Sequence, residues 1–331
     1  MEPLIDNYQR RANYLRLSLT DRCNLRCVYC MPLEGVPKLP HEEILRYEEL
    51  LRLVRLAVGL GIEKVRLTGG EPLLRRDLVG FIRALKGCGL KEISITTNGT
   101  LLAQCAHDLA AAGISRLNIS LDTLRPERFA AITGRPLLAE VLRGIEAAQA
   151  AGLAPIKINV VVMAGLNDDE IIDFGRLSLE RPYRVRFIEL MPIGRQSGWR
   201  PERYLSGEEI KARLKPLGRL YALGRRGALD GPARRYRLKG AAGEIGFINP
   251  VSRHFCPTCN RLRLTADGRL RACLFSDREV DIKRALRSGL SDEELRAVFR
   301  QAMAMKPRRH PSLLPGGPVR KCQRPMSQIG G

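Results

Sequence analysis

Histidine is scarce, with four in 331 residues, and tryptophan occurs once. None of the histidines stands in a recognisable motif with Ser, Cys or Asp, which leaves little for a conventional acid-base or nucleophilic enzyme. Long apolar runs are missing too. Stretches such as residues 158–164 fall far short of the roughly 18 residues that cross a bilayer. Residues 1–20 mix Asp6, Arg10, Arg11 and Arg16 with apolar side chains and lack the unbroken apolar segment of a secretory signal. These absences predict a cytoplasmic protein with no membrane role. Acidic residues are in deficit: 35 Asp and Glu face 56 Lys and Arg, a net charge of +21, and 45 of those 56 are Arg. Guanidinium makes flat, two-pronged hydrogen bonds to phosphate and carboxylate, so this balance suits a polyanionic partner. A general compositional preference for Arg would give the same numbers.

What remains is an ordinary folded chain, 44% apolar and 27% charged, long enough for about two domains. From about residue 15 to 217, β-rich runs alternate with helical ones. The strands read as Leu15 to Thr20, Lys64 to Thr68, Glu92 to Thr97, Arg116 to Leu121, Ile156 to Met163 and Arg184 to Leu190. Helical patterns follow at 42–59, 76–87, 101–112, 137–151, 168–179 and 207–217, the last behind a capping box of Ser206 and Glu209. Six β-then-α units with right-handed crossovers predict an open, partial (β/α)6 TIM-like barrel over residues 1–217, with chemistry at the carboxyl ends of its strands. Residues 218–331 look irregular and form a second region, with one clear helix at 292–304 behind Ser291 and Glu294.

Nine cysteines are too many to ignore and odd in number, which argues against a simple disulfide framework. Cys23, Cys27 and Cys30 lie on one loop after the first strand. Three thiolates there can hold three irons of a 4Fe-4S cluster and leave the fourth iron open to another ligand. Cys256, Cys259 and Cys273 form a second group; taken alone, with His254 as a fourth ligand, it reads as a zinc site. Asp267-Gly268 marks a tight turn between Cys259 and Cys273, and the flanking alternation puts Arg261 and Arg263 on one face, a receptor for an anion. Cys88 and Cys105 read as small buried hydrophobes, and Cys322 stands alone.

The stretch from Arg16 through Cys23, Cys27 and Cys30 to Pro32, with Gly69-Gly70-Glu71-Pro72 after the second strand, resembles the signature of radical S-adenosylmethionine enzymes. Together with the spacing around Cys256 to Gly268 and the Gly330-Gly331 end, it is similar over essentially the whole chain to the GTP-cyclising family of molybdenum cofactor biosynthesis. The resemblance implies that both cysteine groups hold 4Fe-4S clusters, overriding the zinc reading, and that Tyr29, Gly70, Ser120 and Met191 contact S-adenosylmethionine. It assigns GTP to Arg16, Arg66, Thr97, Lys157, Arg261, Leu262 and Arg263, and implies that the Gly330-Gly331 tail enters the site in support of turnover. The implied reaction takes the C3′ hydrogen of GTP by a 5′-deoxyadenosyl radical, after which C3′ attacks guanine C8. An electron donor, a homodimer and a downstream cyclic pyranopterin monophosphate synthase that takes the product are implied with it. The rivals are a basic zinc protein binding nucleic acid, which explains neither the β/α units nor the loop placement, and a peptide-modifying radical enzyme, which the Arg pair and the Gly-Gly end disfavour.

Overall fold

In a computed structural model the chain describes residues 2–32, 34–194, 198–224, 227, 229–310 and 321–330. The six expected strands are present as β1 (Tyr14–Ser18), β2 (Lys64–Thr68), β3 (Glu92–Thr97), β4 (Arg116–Ser120), β5 (Ile156–Val162) and β6 (Arg184–Glu189). They pair in parallel and in sequence order. Around them lie α1 (Tyr47–Gly59), α2 (Leu78–Lys86), α3 (Leu102–Ala112), α4 (Pro126–Thr133), α5 (Leu138–Ala150), α6 (Ile171–Glu180) and α7 (Gly207–Arg213). The helix α4 does not show in the periodicity. It is short and opens on Pro126, yet it buries Phe129 and Ile132.

Strand alternation decides what each face does. Leu15, Leu17, Val65, Leu67, Ile93, Ile95, Leu117 and Ile119 point outward into the apolar layer shared with the helices. Their neighbours Arg16, Arg66 and Ser94 stand side by side in register on the opposite face, because successive strand residues point to opposite sides. Parallel strands in α/β folds are usually apolar on both faces; here the inner face is polar and encloses a cavity.

The region after residue 218 is not irregular. It contributes β7 (Leu220–Leu223), β8 (Arg234–Leu238), β9 (Glu244–Ile248), β10 (Arg261–Leu264), β11 (Arg269–Arg271) and β12 (Val280–Asp281), then α8 (Ile282–Arg287), α9 (Asp292–Ala304) and α10 (Met326–Ile329). These strands extend the same sheet at both ends, giving the order β12-β11-β10-β1-β2-β3-β4-β5-β6-β9-β8-β7. Both β10 against β1 and β9 against β6 are parallel. The expected hairpin is β10 and β11, antiparallel, with Gly268 in the left-handed region at φ 77°. Ser206 with Glu209 and Ser291 with Glu294 form the expected capping boxes on α7 and α9. Cys88 and Cys105 pack with the main core. Among the described residues no helix is long and apolar enough to cross a membrane.

Candidate active site

The loop after β1 carries Cys23, Cys27 and Cys30, and the loop after β2 lies directly on it. Gly70 N–H donates to the Thr20 carbonyl at 2.7 Å and Glu71 N–H to the Arg22 carbonyl at 2.8 Å. A Cβ on Gly69 would come within 2.5 Å of the Thr20 oxygen, and one on Gly70 would overlap the Arg22 carbonyl. The two glycines are therefore required by backbone packed on backbone. Glu71 then ties in the third loop: its carboxylate accepts from Thr97 Oγ1 and Asn98 N–H, both at 2.7 Å, and from Leu73 N–H at 3.0 Å. Burial pushes the Glu71 carboxyl up to about 7 in spite of those donors. Asn98 in turn reaches Asn24 at 2.8 Å and the Cys23 sulfur at 3.8 Å. Thr97, expected on GTP, thus spends its hydroxyl proton on Glu71.

Burial raises all three thiols of this loop. Cys27 lies well above the usual range because Cys30, Asp122 and Cys23 crowd it as well, and Cys30 is pushed up to about 12. Tyr29 donates to Asp122 at 2.7 Å, and Asp122 also accepts from Val161 N–H at 2.8 Å. Burial holds Asp122 up at about 6 and keeps the Tyr29 phenol neutral.

Cys256, Cys259 and Cys273 line the same cavity. Cys259 behaves oppositely to the first group: burial would raise it, but Lys306, Arg261, the Arg261 N–H and Arg263 outweigh burial and bring it to about 6. No cysteine is in a disulfide. Among the described residues no three His, Cys, Asp or Glu side chains are grouped to enclose one metal ion. Cys23 accepts the Leu25 main-chain N–H at 3.4 Å and an Asn98 side-chain N–H at 3.8 Å. Soft cysteine sulfurs in two sets of three, all on the wall of one cavity, are the donor set that suits iron-sulfur clusters, so both triplets fit one.

A single cavity of about 270 Å³ is lined by all six cysteines, by Tyr29, Gly70, Ser120 and Met191, and by Arg16, Arg66, Thr97, Arg261 and Arg263. Leu262 is the exception within its pair of arginines; its side chain packs in the core. The sequence reading missed Arg186, which lines the same wall, and Tyr14, whose buried hydroxyl lacks a partner. Burial and neighbouring cations depress Arg66 to about 10 and Arg186 and Arg263 to about 9. Burial would raise Tyr14, yet Arg66, Arg16, Lys64 and Arg261 together draw it down to about 7. The Nε groups of Arg16, Arg186 and Arg263 are buried without an acceptor. Buried like charges of this kind suit an anionic ligand. Lys157, expected on GTP, is not on this wall; it lines a separate small cavity with Lys64, Arg66 and Arg116, and burial and Arg186 push its amine down to about 5.

The carboxyl-terminal segment also reaches the cavity. Met326 lies on its wall, and Gly330, at φ 83°, is pressed so closely on Ser18 and Thr68 that a Cβ would overlap the Thr68 hydroxyl. Gly331 lies outside the described residues.

A partial barrel with a three-cysteine loop and a glycine-rich second loop defines an enzyme of the radical S-adenosylmethionine class, and the comparisons agree. The family model described as Radical SAM superfamily matches residues 17–177, and that described as Molybdenum Cofactor Synthesis C matches residues 183–312. Two Streptococcus suis SuiB crystal structures share the fold. The one bound to S-adenosylmethionine has a TM-score of 0.57 at 15% identity, covering 82% of this chain and 63%, under two thirds, of that chain. The other has a TM-score of 0.62 at 14% identity, covering 88% and 67%. GTP 3',8-cyclase of Moorella thermoacetica is 52% identical over 98% of this chain and 99% of its own length. That of Heliobacterium modesticaldum is 51% identical over 99% and 100%. The chain belongs to the GTP 3',8-cyclase family.

Proposed function

We propose that the protein cyclises GTP to (8S)-3',8-cyclo-7,8-dihydroguanosine 5'-triphosphate, the first step of molybdenum cofactor biosynthesis, with S-adenosylmethionine and two 4Fe-4S clusters. One observation carries this: two cysteine triplets and a row of buried, unneutralised guanidinium groups line one cavity. Cys23, Cys27 and Cys30 hold the first cluster and Cys256, Cys259 and Cys273 the second, each leaving one iron free for a non-protein ligand. When bound, S-adenosylmethionine and the first cluster supply a 5′-deoxyadenosyl radical that abstracts hydrogen. The chain binds, orients and shields. Tyr29, Gly70, Ser120 and Met191 take the S-adenosylmethionine end, while Arg16, Arg66, Arg261 and Arg263 hold the triphosphate. Lys157 acts from the neighbouring small cavity, which shares Arg66 and Arg186 with the main one, in the charged form that an adjacent polyanion favours. Thr97 serves through Glu71, and Leu262 through its backbone. Residues 1–217 carry the radical chemistry, and the region 218–331 supplies the second triplet together with Arg261 and Arg263. The reaction draws one electron at a time from a reduced donor in the cytoplasm and hands its product to the next enzyme of the same biosynthesis.

Anaerobic incubation with GTP, S-adenosylmethionine and dithionite should yield the cyclised triphosphate; reductive cleavage of S-adenosylmethionine with no cyclised GTP would overturn the assignment. The iron content of the reconstituted protein should be about eight per chain, falling to about four when Cys256, Cys259 and Cys273 are replaced together. Zinc at that site, or full iron in the triple variant, would show that it holds no cluster. A charge-assisted hydrogen bond is worth about 1.5 to 3 kcal/mol. Arg16→Ala, Arg261→Ala or Arg263→Ala should therefore lower kcat/KM for GTP by roughly tenfold to a hundredfold, with S-adenosylmethionine cleavage spared. Equal loss of both would assign these side chains to the fold.

A further inference from the structure

The register of β10, β1 and β2 sets two rows of side chains on the polar inner face. One row holds Arg263, Arg16 and Arg66; the other, two residues nearer the amino ends, holds Arg261, Tyr14 and Lys64. Of these six, Tyr14 alone is not a cation. It is 3% exposed, lies outside the main apolar core and lines the substrate cavity. Lys64 Nζ stands 5.0 Å and the Arg66 guanidinium carbon 5.4 Å from the centre of its ring, within cation–π reach. The hydroxyl has no hydrogen-bond partner among the described residues. Guanidinium and ammonium groups donate and never accept, so the cations around Tyr14 cannot take its O–H proton. Glu92, the carboxylate that pairs with Lys64 in register, is already engaged by Lys64 at 2.6 Å and Arg116 at 3.2 Å. Buried hydroxyls are rarely left unpaired, because the lost hydrogen bond to water is costly. The missing acceptor is one that arrives with a ligand.

We propose that Tyr14 is a further substrate-binding residue: its phenol O–H donates to a phosphate oxygen of GTP from between Arg261 and Lys64. This rests on the assignment of GTP to this cavity. An acceptor seated among four cations is an anionic oxygen, and a hydrogen bond to a charged acceptor is about twice as strong as one to a neutral group. Burial raises the Tyr14 phenol, and Arg66, Arg16, Lys64 and Arg261 draw it down to about 7. A bound polyanion offsets those cations, so the proton stays on oxygen to be donated. Lys64 divides its ammonium between Glu92 and the Leu229 carbonyl at 3.1 Å, which leaves the hydroxyl as the uncommitted donor on that side of Arg261.

Tyr14→Phe keeps the ring over Lys64 and Arg66 and removes only the hydroxyl. The reconstituted enzyme and this variant are titrated anaerobically by calorimetry with GTP, with inorganic triphosphate and with S-adenosylmethionine, at low and at high salt. The variant should keep about eight irons and bind S-adenosylmethionine as the parent does. Its affinity for both GTP and inorganic triphosphate should fall about tenfold. Because every cation is still present, salt should weaken GTP binding as steeply as in the parent, whereas Arg16→Ala should flatten that dependence. Unchanged affinity for inorganic triphosphate would show that the hydroxyl meets no phosphate. A flattened salt dependence in Tyr14→Phe, or a matching loss of S-adenosylmethionine binding, would show that the change acts by disturbing the arginines or the fold. Either result overturns the proposal. A parent enzyme that binds neither GTP nor inorganic triphosphate would instead overturn the assignment of GTP to the cavity.

Discussion

Removing Gly330 and Gly331 is expected to abolish cyclised product while both clusters and the reductive cleavage of S-adenosylmethionine survive. Gly330 sits where the carboxyl ends of β1 and β2 meet, against Ser18 and Thr68. Its positive φ is one that side-chain-bearing residues adopt at a cost of about 1 kcal/mol or more. A residue so placed touches the polar inner face beside the cysteine loop yet supplies no thiol, so its loss should spare electron transfer and disorder the substrate. The expected fall in product is at least roughly a hundredfold, the loss of about 2.7 kcal/mol of positioning. Product formed and 5′-deoxyadenosine released are measured in the same anaerobic reaction. Gly330→Ala should reproduce most of the defect, because a Cβ there has no room. Turnover at the parent rate in the truncated chain would make the end of the tail a bystander. A matching loss of 5′-deoxyadenosine would assign the glycines to the first cluster.

Gly70→Ala should be more damaging still, ending both activities. The Cβ would meet main-chain atoms of Arg22 and, at 2.8 Å, the Asp21 carbonyl oxygen. Those atoms belong to the loop that presents Cys23, and backbone cannot swing aside as a flexible side chain does. Overpacking of this kind costs about 1–3 kcal/mol, and relief comes most readily by lifting the cysteine loop off Gly69 and Gly70. Iron should fall to about four per chain, with the second cluster retained and S-adenosylmethionine cleavage lost. The remote barrel strands are untouched, so the thermal midpoint should drop by only a few degrees. Complete iron with normal cleavage would show that the two loops can separate without consequence.

The residues that local pattern could reveal are those whose chemistry is complete within a few positions. The cysteine spacings, the Gly-Gly-Glu-Pro loop, the capping boxes at Ser206 and Ser291 and the Asp267-Gly268 turn all fall in that group. Arg186, Lys64 and Tyr14 were hidden for the opposite reason. Each is one polar residue in an ordinary strand, and only the register across β1, β2, β5 and β6 turns them toward the same space. Glu71 was visible as part of a motif, but its work, holding Thr97 and Asn98, depends on a loop over two dozen residues away. The strands β9 and β10 were obscured because their partners are distant: the Arg-Leu alternation announces a hairpin but cannot announce that Arg261 pairs with Tyr14. Leu262 shows the limit of carrying a motif across as a block, since adjacent strand positions face opposite ways.

The pairing of β10 with β1 has a consequence for how the molecule is made. Asn13 and Asn260, which hydrogen-bond beside that seam, are 247 positions apart. Contacts of such long range are slow to form, because the loop must close before its contacts repay it. Synthesis runs from β1 to β10, so the edge of β1 that β10 covers has no native partner until residues 261–264 are made. Such an edge is an open template for wrong partners. Folding yield in the cell should therefore depend on what occupies the bare side of β1 during that interval.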